Sequence, residues 1–225
     1  MSFSGVATTR NLLGPLVRAA FRVHVTGAHY LPSHGGVLLI ANHPGIADAT
    51  ILTAAAPRPV RVVSEAGALA GAWTALSAAT GRIVVGEEDD AFDALRTAVE
   101  AVAAGDAVGM FPEGRLPSVD EPHRVAAMGA AYVQVRTGVP VVPVALLGTH
   151  GRRPTDPPAP RALIDVVFGQ AFRLPAPADP LARGSIVDVA ELLRQHLADH
   201  VATARARSGR VGLEELSTTR KDGGS

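Results

Sequence analysis

Cysteine and lysine are almost missing from the sequence. The 225 residues include no cysteine, which excludes disulfides, cysteine nucleophiles and cysteine-ligated zinc or iron–sulfur centres. The one lysine, Lys221, lies in a polar C-terminal stretch, so the folded body has neither a Schiff-base lysine nor a P-loop lysine. Cationic contacts in the body of the protein therefore depend on arginine and histidine.

The sequence also lacks net charge and aromatic residues. Lys+Arg 21 and Asp+Glu 21 balance to a formal net charge of 0, and aromatic residues make up 4%. This composition gives no bulk attraction to nucleic acid and no interleaving of basic and aromatic residues, so we expect no nucleic-acid partner. Hydrophobic residues at 47% and charged residues at 19% are typical of a globular chain with a substantial core.

Long hydrophobic runs are missing as well. No stretch of about 18 strongly apolar residues occurs, so the sequence predicts no transmembrane helix. Residues 1–9 are small and polar, unlike the basic start of a cleavable signal peptide.

The first 30 residues are predicted to form an N-terminal helical segment. Apolar residues recur there at helical spacing and arginines lie between them: Leu12, Leu16 and Phe21 with Arg10, Arg18 and Arg22. Such a helix suits a membrane interface. It equally suits packing of its apolar face into a core, and the two interpretations stay open.

Short apolar runs alternate with helical patterns along the rest of the chain. Strands are predicted at 37–41, 60–64, 82–85, 107–111, 140–147 and 162–168, and helices at 48–56, 66–79, 90–102, 125–136 and 186–205. This order predicts a single α/β domain over residues 31–207, with a largely parallel sheet flanked by helices, an N-terminal amphipathic helix and a flexible tail over 208–225. Pro140 and Pro143 predict either that their strand lies at an edge of the sheet or that they mark the start of the strand.

A polar cluster follows the first of these strands. Asn42 and His43 come directly after the strand, and Asp48 follows five residues beyond His43. A turn can bring the carboxylate back against one imidazole nitrogen, which fixes the tautomer and leaves the other nitrogen as a base. The alternative is that Asp48 caps a helix and His43 is an ordinary loop residue, and the spacing by itself favours this alternative.

Two further clusters follow later strands. Phe111-Pro-Glu-Gly-Arg115 combines a glycine, which permits close approach to a ligand, with an arginine that suits phosphate or carboxylate. A surface ion pair between Glu113 and Arg115 is the alternative. The third cluster, Val139-Pro-Val-Val-Pro-Val144, is apolar and rigid, and by itself indicates a core strand.

In this order, the three clusters resemble the motifs of the glycerolipid acyltransferase family, the 1-acyl-glycerol-3-phosphate acyltransferases and their relatives. Asn42-His43 with Asp48 matches the NH-x4-D motif, residues 111–114 match FPEG, and residues 139–144 match VPxxPV. The resemblance covers at least residues 31–148. One departure is that Gly86 and Glu87 stand where many members carry an arginine.

The resemblance implies an acyltransferase mechanism. His43 would act as the general base on an acceptor hydroxyl, Asp48 would orient His43, and Glu113, Gly114 and Arg115 would bind the acceptor. The donor would be acyl-CoA or acyl-carrier protein, and the acceptor a lysophospholipid such as 1-acyl-glycerol-3-phosphate. No metal and no cofactor beyond the acyl-CoA co-substrate is expected. The implied protein is cytoplasmic and binds the membrane surface peripherally.

Two other functions remain open at this stage. One is a lipid- or acyl-CoA-binding relative without turnover, against which the intact His43 and Asp48 pair argues. The other is a thioesterase-like hydrolase that uses water as the acceptor.

Overall fold

A seven-stranded sheet forms the centre of the computed structural model, which describes residues 13–65, 82–85, 91–113, 122–153, 155–176, 179 and 182–209. The strands are β1 (Arg22–Thr26), β2 (Val37–Ala41), β3 (Val60–Glu65), β4 (Ile83–Val85), β5 (Ala107–Met110), β6 (Val141–Leu147) and β7 (Leu163–Phe168). Their order is β1-β7-β6-β2-β5-β3-β4. The β6–β7 pair is antiparallel and the other neighbours are parallel. The predicted α/β class with a largely parallel sheet is confirmed.

Helices cover both faces of the sheet. They are α1 (13–20), α2 (Asp48–Ala55), α3 (Ala91–Ala103), α4 (Pro122–Thr137) and α5 (Arg183–Arg207), with a 3-10 turn at Ala28–Tyr30. Strand β2 shows how the two faces are divided. Leu39 packs into the core beside α1 and α2, whereas Leu38 and Ile40 pack into the core beside α3, α4 and α5. Because successive side chains point to opposite faces, a continuous apolar run is what a strand between two helical layers requires.

The N-terminal boundary predicted at residue 30 does not separate two units. Residues 22–26, which the sequence assigned to a helical segment, form β1 and pair with β7 in parallel. Val23 and Val25 are β-branched and alternate with exposed residues, which favours a strand once α1 has ended. The sheet therefore begins before residue 31, and residues 22–26 belong to it.

Core packing accounts for one face of α1. Leu13, Val17 and Phe21 are buried in the core, so Phe21 is not available for a membrane contact, whereas Leu16 is 56% exposed. Leu12 and the predicted helix at 66–79 lie outside the described residues, as do residues 210–225 of the predicted tail. No helix within the described ranges is long and apolar enough to cross a bilayer.

The prolines predicted an edge position or a strand start. The proline-bearing strand β6 is central, so the edge position is wrong, whereas Pro140 directly precedes the first residue of the strand. Strand β6 lies between β7 and β2, and Pro143 pairs in register with Ile40 of β2. On the β7 side, the pairing passes from Val144↔Phe168 to Val141↔Phe172, which leaves one extra residue on the β7 chain. Pro143 falls in this bulge, and its carbonyl accepts a hydrogen bond from the Gly169 N–H at 2.8 Å. The bulge accommodates a residue that has no N–H to donate.

Candidate active site

The polar residues of the first two motifs meet at the carboxyl edge of the sheet. Strand β2 lies between β5 and β6 and runs parallel to both, so the three strands end side by side. The turn from Asn42 to Asp48, the segment from Phe111 to Glu113, and Gly148-Thr149 continue from these ends. Ligands of open α/β sheets bind at this edge.

Asn42 fixes the start of the turn. Its side-chain amide donates to the Leu146 carbonyl at 2.9 Å, and its carbonyl oxygen accepts from the Leu146 N–H at 2.7 Å. The residue is buried, and it satisfies both polar groups of one β6 residue. The end of β2 is thereby attached to β6, and His43 begins from a rigid position.

His43 and Asp48 form the pair that the sequence predicted. His43 Nδ1 and Asp48 Oδ2 are 2.7 Å apart, and the same oxygen accepts from the Gly45 N–H at 2.8 Å. The Asp48 side chain is 0% exposed and the His43 side chain 19%. Asp48 is the first residue of α2, and Ala47 occupies the N-cap position. The carboxylate therefore orients the imidazole and closes the turn.

Burial raises the pKa of Asp48 above its ordinary value. The hydrogen bond and charge of His43, the Thr149 hydroxyl and the Gly45 N–H act in the opposite direction and partly offset it. In the ionised form the carboxylate can only accept, so Nδ1 of His43 carries the hydrogen. Nε2 is then the nitrogen that is free to take a proton from a substrate.

The FPEG segment contacts the same turn. The Phe111 ring stacks on the His43 imidazole, with the centroids 4.4 Å apart and the planes at 19°. Glu113 Oε2 accepts a hydrogen bond from the His43 backbone N–H at 3.2 Å. Two of the predicted site residues, Gly114 and Arg115, lie outside the described residues, as do Gly86 and Glu87.

Thr149 and Gly45 complete the site, and no motif in the sequence indicated a role for either of them. A Cβ on Gly45 would lie 2.5 Å from the Thr149 carbonyl oxygen, so a side chain does not fit between the turn and the segment after β6. Thr149 is fully buried. The sequence did offer one signal for Thr149, which is a polar residue that directly follows a strand and a glycine.

Two backbone donors of the turn are already in use. The His43 N–H bonds Glu113 and the Gly45 N–H bonds Asp48, so an oxyanion must be stabilised by other donors. Within the described ranges, no three His, Asp or Glu side chains are grouped so that they could hold a metal ion.

Comparisons with known proteins agree with this fold. The fold is similar to the crystal structure of the 1-acyl-sn-glycerophosphate acyltransferase PlsC from Thermotoga maritima, with a TM-score of 0.59 and 18% identity over 86% of this chain and 78% of that chain. No curated protein matches the sequence. Residues 22–147, more than half of the chain, match the family described as Acyltransferase. The chain therefore belongs to the acyltransferase family, as its motifs predicted.

Proposed function

We propose that this acyltransferase moves a fatty acyl group from acyl-CoA or acyl-carrier protein to a hydroxyl of a lysophospholipid such as 1-acyl-glycerol-3-phosphate. The observation that carries the proposal is the His43 imidazole, held by a buried carboxylate at the carboxyl edge of the sheet with one nitrogen left for a proton. Membership of the acyltransferase family supports acyl transfer as the reaction. The fold shared with the Thermotoga maritima 1-acyl-sn-glycerophosphate acyltransferase is compatible with a lysophospholipid acceptor.

The proposed reaction is a direct transfer. Nε2 of His43 takes the proton of the acceptor hydroxyl while the hydroxyl oxygen attacks the thioester carbonyl. The tetrahedral oxyanion then collapses, the C–S bond breaks, and the leaving thiolate takes a proton from the imidazolium. Asp48 stabilises the imidazolium between these steps. His43 acts in this reaction as a base rather than as a nucleophile, and the acceptor oxygen attacks the thioester directly, so no acyl-enzyme is formed.

The acceptor is proposed to bind beside the FPEG segment. Glu113 reaches the His43 backbone, which brings this segment next to the base. Arg115 supplies the cation for the acceptor's phosphate, and Gly114 permits close approach. Arg115→Ala should then raise the acceptor KM and leave the acyl-CoA KM unchanged, measured by varying each substrate at saturation of the other. A change in the acyl-CoA KM alone would place Arg115 on the donor side.

The proposed location is the cytoplasmic membrane surface, with peripheral attachment. A lysophospholipid is presented in a membrane, so the site must approach one. The proposed contact is α1, on which Leu16 and Arg18 are both exposed to solvent.

The deciding experiment is an acceptor-panel assay. Labelled acyl-CoA and acyl-carrier protein are each incubated with lysophosphatidate, other lysophospholipids, and no acceptor. We expect product only with a lysophospholipid, and His43→Ala should lose about 100- to 10,000-fold in turnover while remaining folded. Release of free fatty acid without any acceptor would instead indicate a hydrolase. Donor binding without transfer or hydrolysis would indicate a non-catalytic relative.

A further inference from the structure

Thr149 lies directly behind the catalytic pair. Gly148 follows the last residue of β6 and has a φ of 77°, a left-handed conformation that turns the chain out of the strand. Thr149 comes next and is 0% exposed. Its carbonyl oxygen lies 2.5 Å from the position that a Gly45 Cβ would take, so the segment after β6 packs directly against the turn that holds His43 and Asp48.

Two buried polar atoms with complementary hydrogen-bonding capacity belong to the residues at this contact. Asp48 Oδ1 and Thr149 Oγ1 are both shielded from solvent, and neither has a hydrogen bond of good geometry within the described part of the chain. One is a carboxylate acceptor and the other is a hydroxyl whose hydrogen can rotate to suit a partner. A buried polar atom left unpaired costs about 1–3 kcal/mol, and the Thr149 hydroxyl acts on Asp48 to lower its pKa, so a hydrogen bond between these two atoms would satisfy both.

We propose that Thr149 is a positioning residue, whose hydroxyl donates to Asp48 Oδ1 and holds the carboxylate in place for His43. Oδ2 already accepts from His43 and Gly45, so a donor to Oδ1 fixes the carboxylate against rotation. The effect of Thr149 on turnover rests on the proposed function; the contact with Asp48 does not.

The surroundings of Asp48 allow the contribution of Thr149 to be isolated. His43 is the titratable group that acts on Asp48 among the described residues, and the Thr149 hydroxyl is one of the groups that lower the pKa of Asp48. His150, the next residue, is exposed and its Nδ1 lies 2.9 Å from the Gly151 carbonyl. A change at the Thr149 hydroxyl therefore reaches the catalytic pair through Asp48.

The test compares Thr149→Val with Thr149→Ser in the full chain. Valine keeps the shape and removes the hydroxyl, whereas serine keeps the hydroxyl. Carbon-13 NMR of labelled Asp carboxyl groups follows the titration of Asp48, identified by its loss in Asp48→Asn. We expect Thr149→Val to raise the pKa of Asp48 further and Thr149→Ser to leave it unchanged. We also expect kcat/KM to fall about 3- to 10-fold in the valine variant and to recover in the serine variant. If the valine variant does not fold, Thr149→Ala replaces it.

A double-mutant cycle with Asp48→Asn separates positioning from packing. If Thr149 acts through the carboxylate, Thr149→Val should have little further effect on kcat once Asp48 is replaced. An unchanged titration of Asp48 in Thr149→Val would overturn the inference, whatever the activity. A shifted titration in a protein that transfers acyl groups to no acceptor would uphold the contact and refute the proposed function instead.

Discussion

At the scale of single residues, the stability contribution of Asp48 conflicts with its proposed catalytic role. Its carboxylate is fully buried, and burial raises its pKa above the ordinary 3.8. An acid whose pKa is raised by folding stabilises the protein below its unfolded pKa, and this contribution is lost as the pH rises through the folded pKa. The charged form that orients His43 at neutral pH is therefore the form that folding disfavours.

Replacement of Asp48 by asparagine should separate the two effects. Asp48→Asn keeps an acceptor for the Gly45 N–H but cannot stabilise the imidazolium, so we expect turnover to fall by less than the about 100- to 10,000-fold predicted for loss of the base. The difference in the free energy of unfolding, variant minus original protein, should increase from pH 4 to pH 8, because this range lies above the ordinary aspartate pKa of about 3.8. Urea unfolding at both pH values measures this, and a difference independent of pH would contradict it.

Gly45 is a second residue, and here the structure leaves no room for a side chain. A Cβ there would lie 2.5 Å from the Thr149 carbonyl oxygen and 3.0 Å from His150 Cα. Both neighbours are backbone atoms, so Gly45→Ala must displace the turn, and we expect a loss of about 1–3 kcal/mol in the free energy of unfolding together with reduced activity.

The matched control is Gly184→Ala, because nothing lies within 4 Å of a Cβ at that position in the first turn of α5. Alanine there should leave activity unchanged and stability equal or slightly higher. Equal free energies of unfolding for Gly45→Ala and Gly184→Ala would show that the turn can shift to make room for the Ala side chain at position 45.

At the scale of secondary-structure elements, the two edges of the sheet have different roles. The carboxyl edge holds His43 and Asp48, the proposed catalytic pair, whereas Arg58 stabilises the amino edge. The Arg58 guanidinium donates to the carbonyls of Pro32, Gly35 and Gly105 at 3.1, 2.8 and 2.7 Å, and these residues precede β2 and β5. One side chain thereby connects the two segments that lead into the adjacent strands β2 and β5.

Arg58→Met should therefore lower stability and not catalysis. Loss of the guanidinium leaves three carbonyls to find other donors, and we expect the free energy of unfolding to fall by about 1–3 kcal/mol with kcat unchanged. Chemical unfolding and the acyl-transfer assay measure the two effects. The control is Arg173→Met, since exposed Arg173 makes one such bond, to the Gly138 carbonyl at 2.9 Å, and should change stability little. A large fall in kcat for Arg58→Met would mean that the two edges are coupled.

At the scale of the whole molecule, the proposed membrane contact depends on which face of α1 is left uncovered. Leu13 and Val17 are buried, so deletion of the helix would also expose the core, and a single substitution is the cleaner test. Leu16→Asp should reduce sedimentation with lysophosphatidate-containing liposomes and leave the unfolding midpoint unchanged. Val187→Asp, at a 48% exposed position on α5, serves as the control. Equal reductions in both variants, or in neither, would place the contact elsewhere.

The sequence by itself predicted the class of the fold and the contact between His43 and Asp48, and both are present in the structure. Apolar runs such as residues 37–41 can be satisfied only between two covering layers, so their alternation with helices predicted a parallel sheet. His43 and Asp48 lie five residues apart across one turn, and their contact is a local event that spacing can predict. The motifs likewise gave the family, because they preserve residue types in a fixed order.

The tertiary structure decided what depends on neighbours distant in sequence. Pro143 predicted an edge strand, but β6 is central, since a bulge in the chain after β7 accommodates the missing N–H. Residues 22–26 were predicted to be helical, yet the open edge of β7 selects a strand there. Thr149 is 101 positions from Asp48, and their packing follows from the adjacency of β2 and β6. Strand order and burial arise from the packing of the whole chain, so no local pattern contains them.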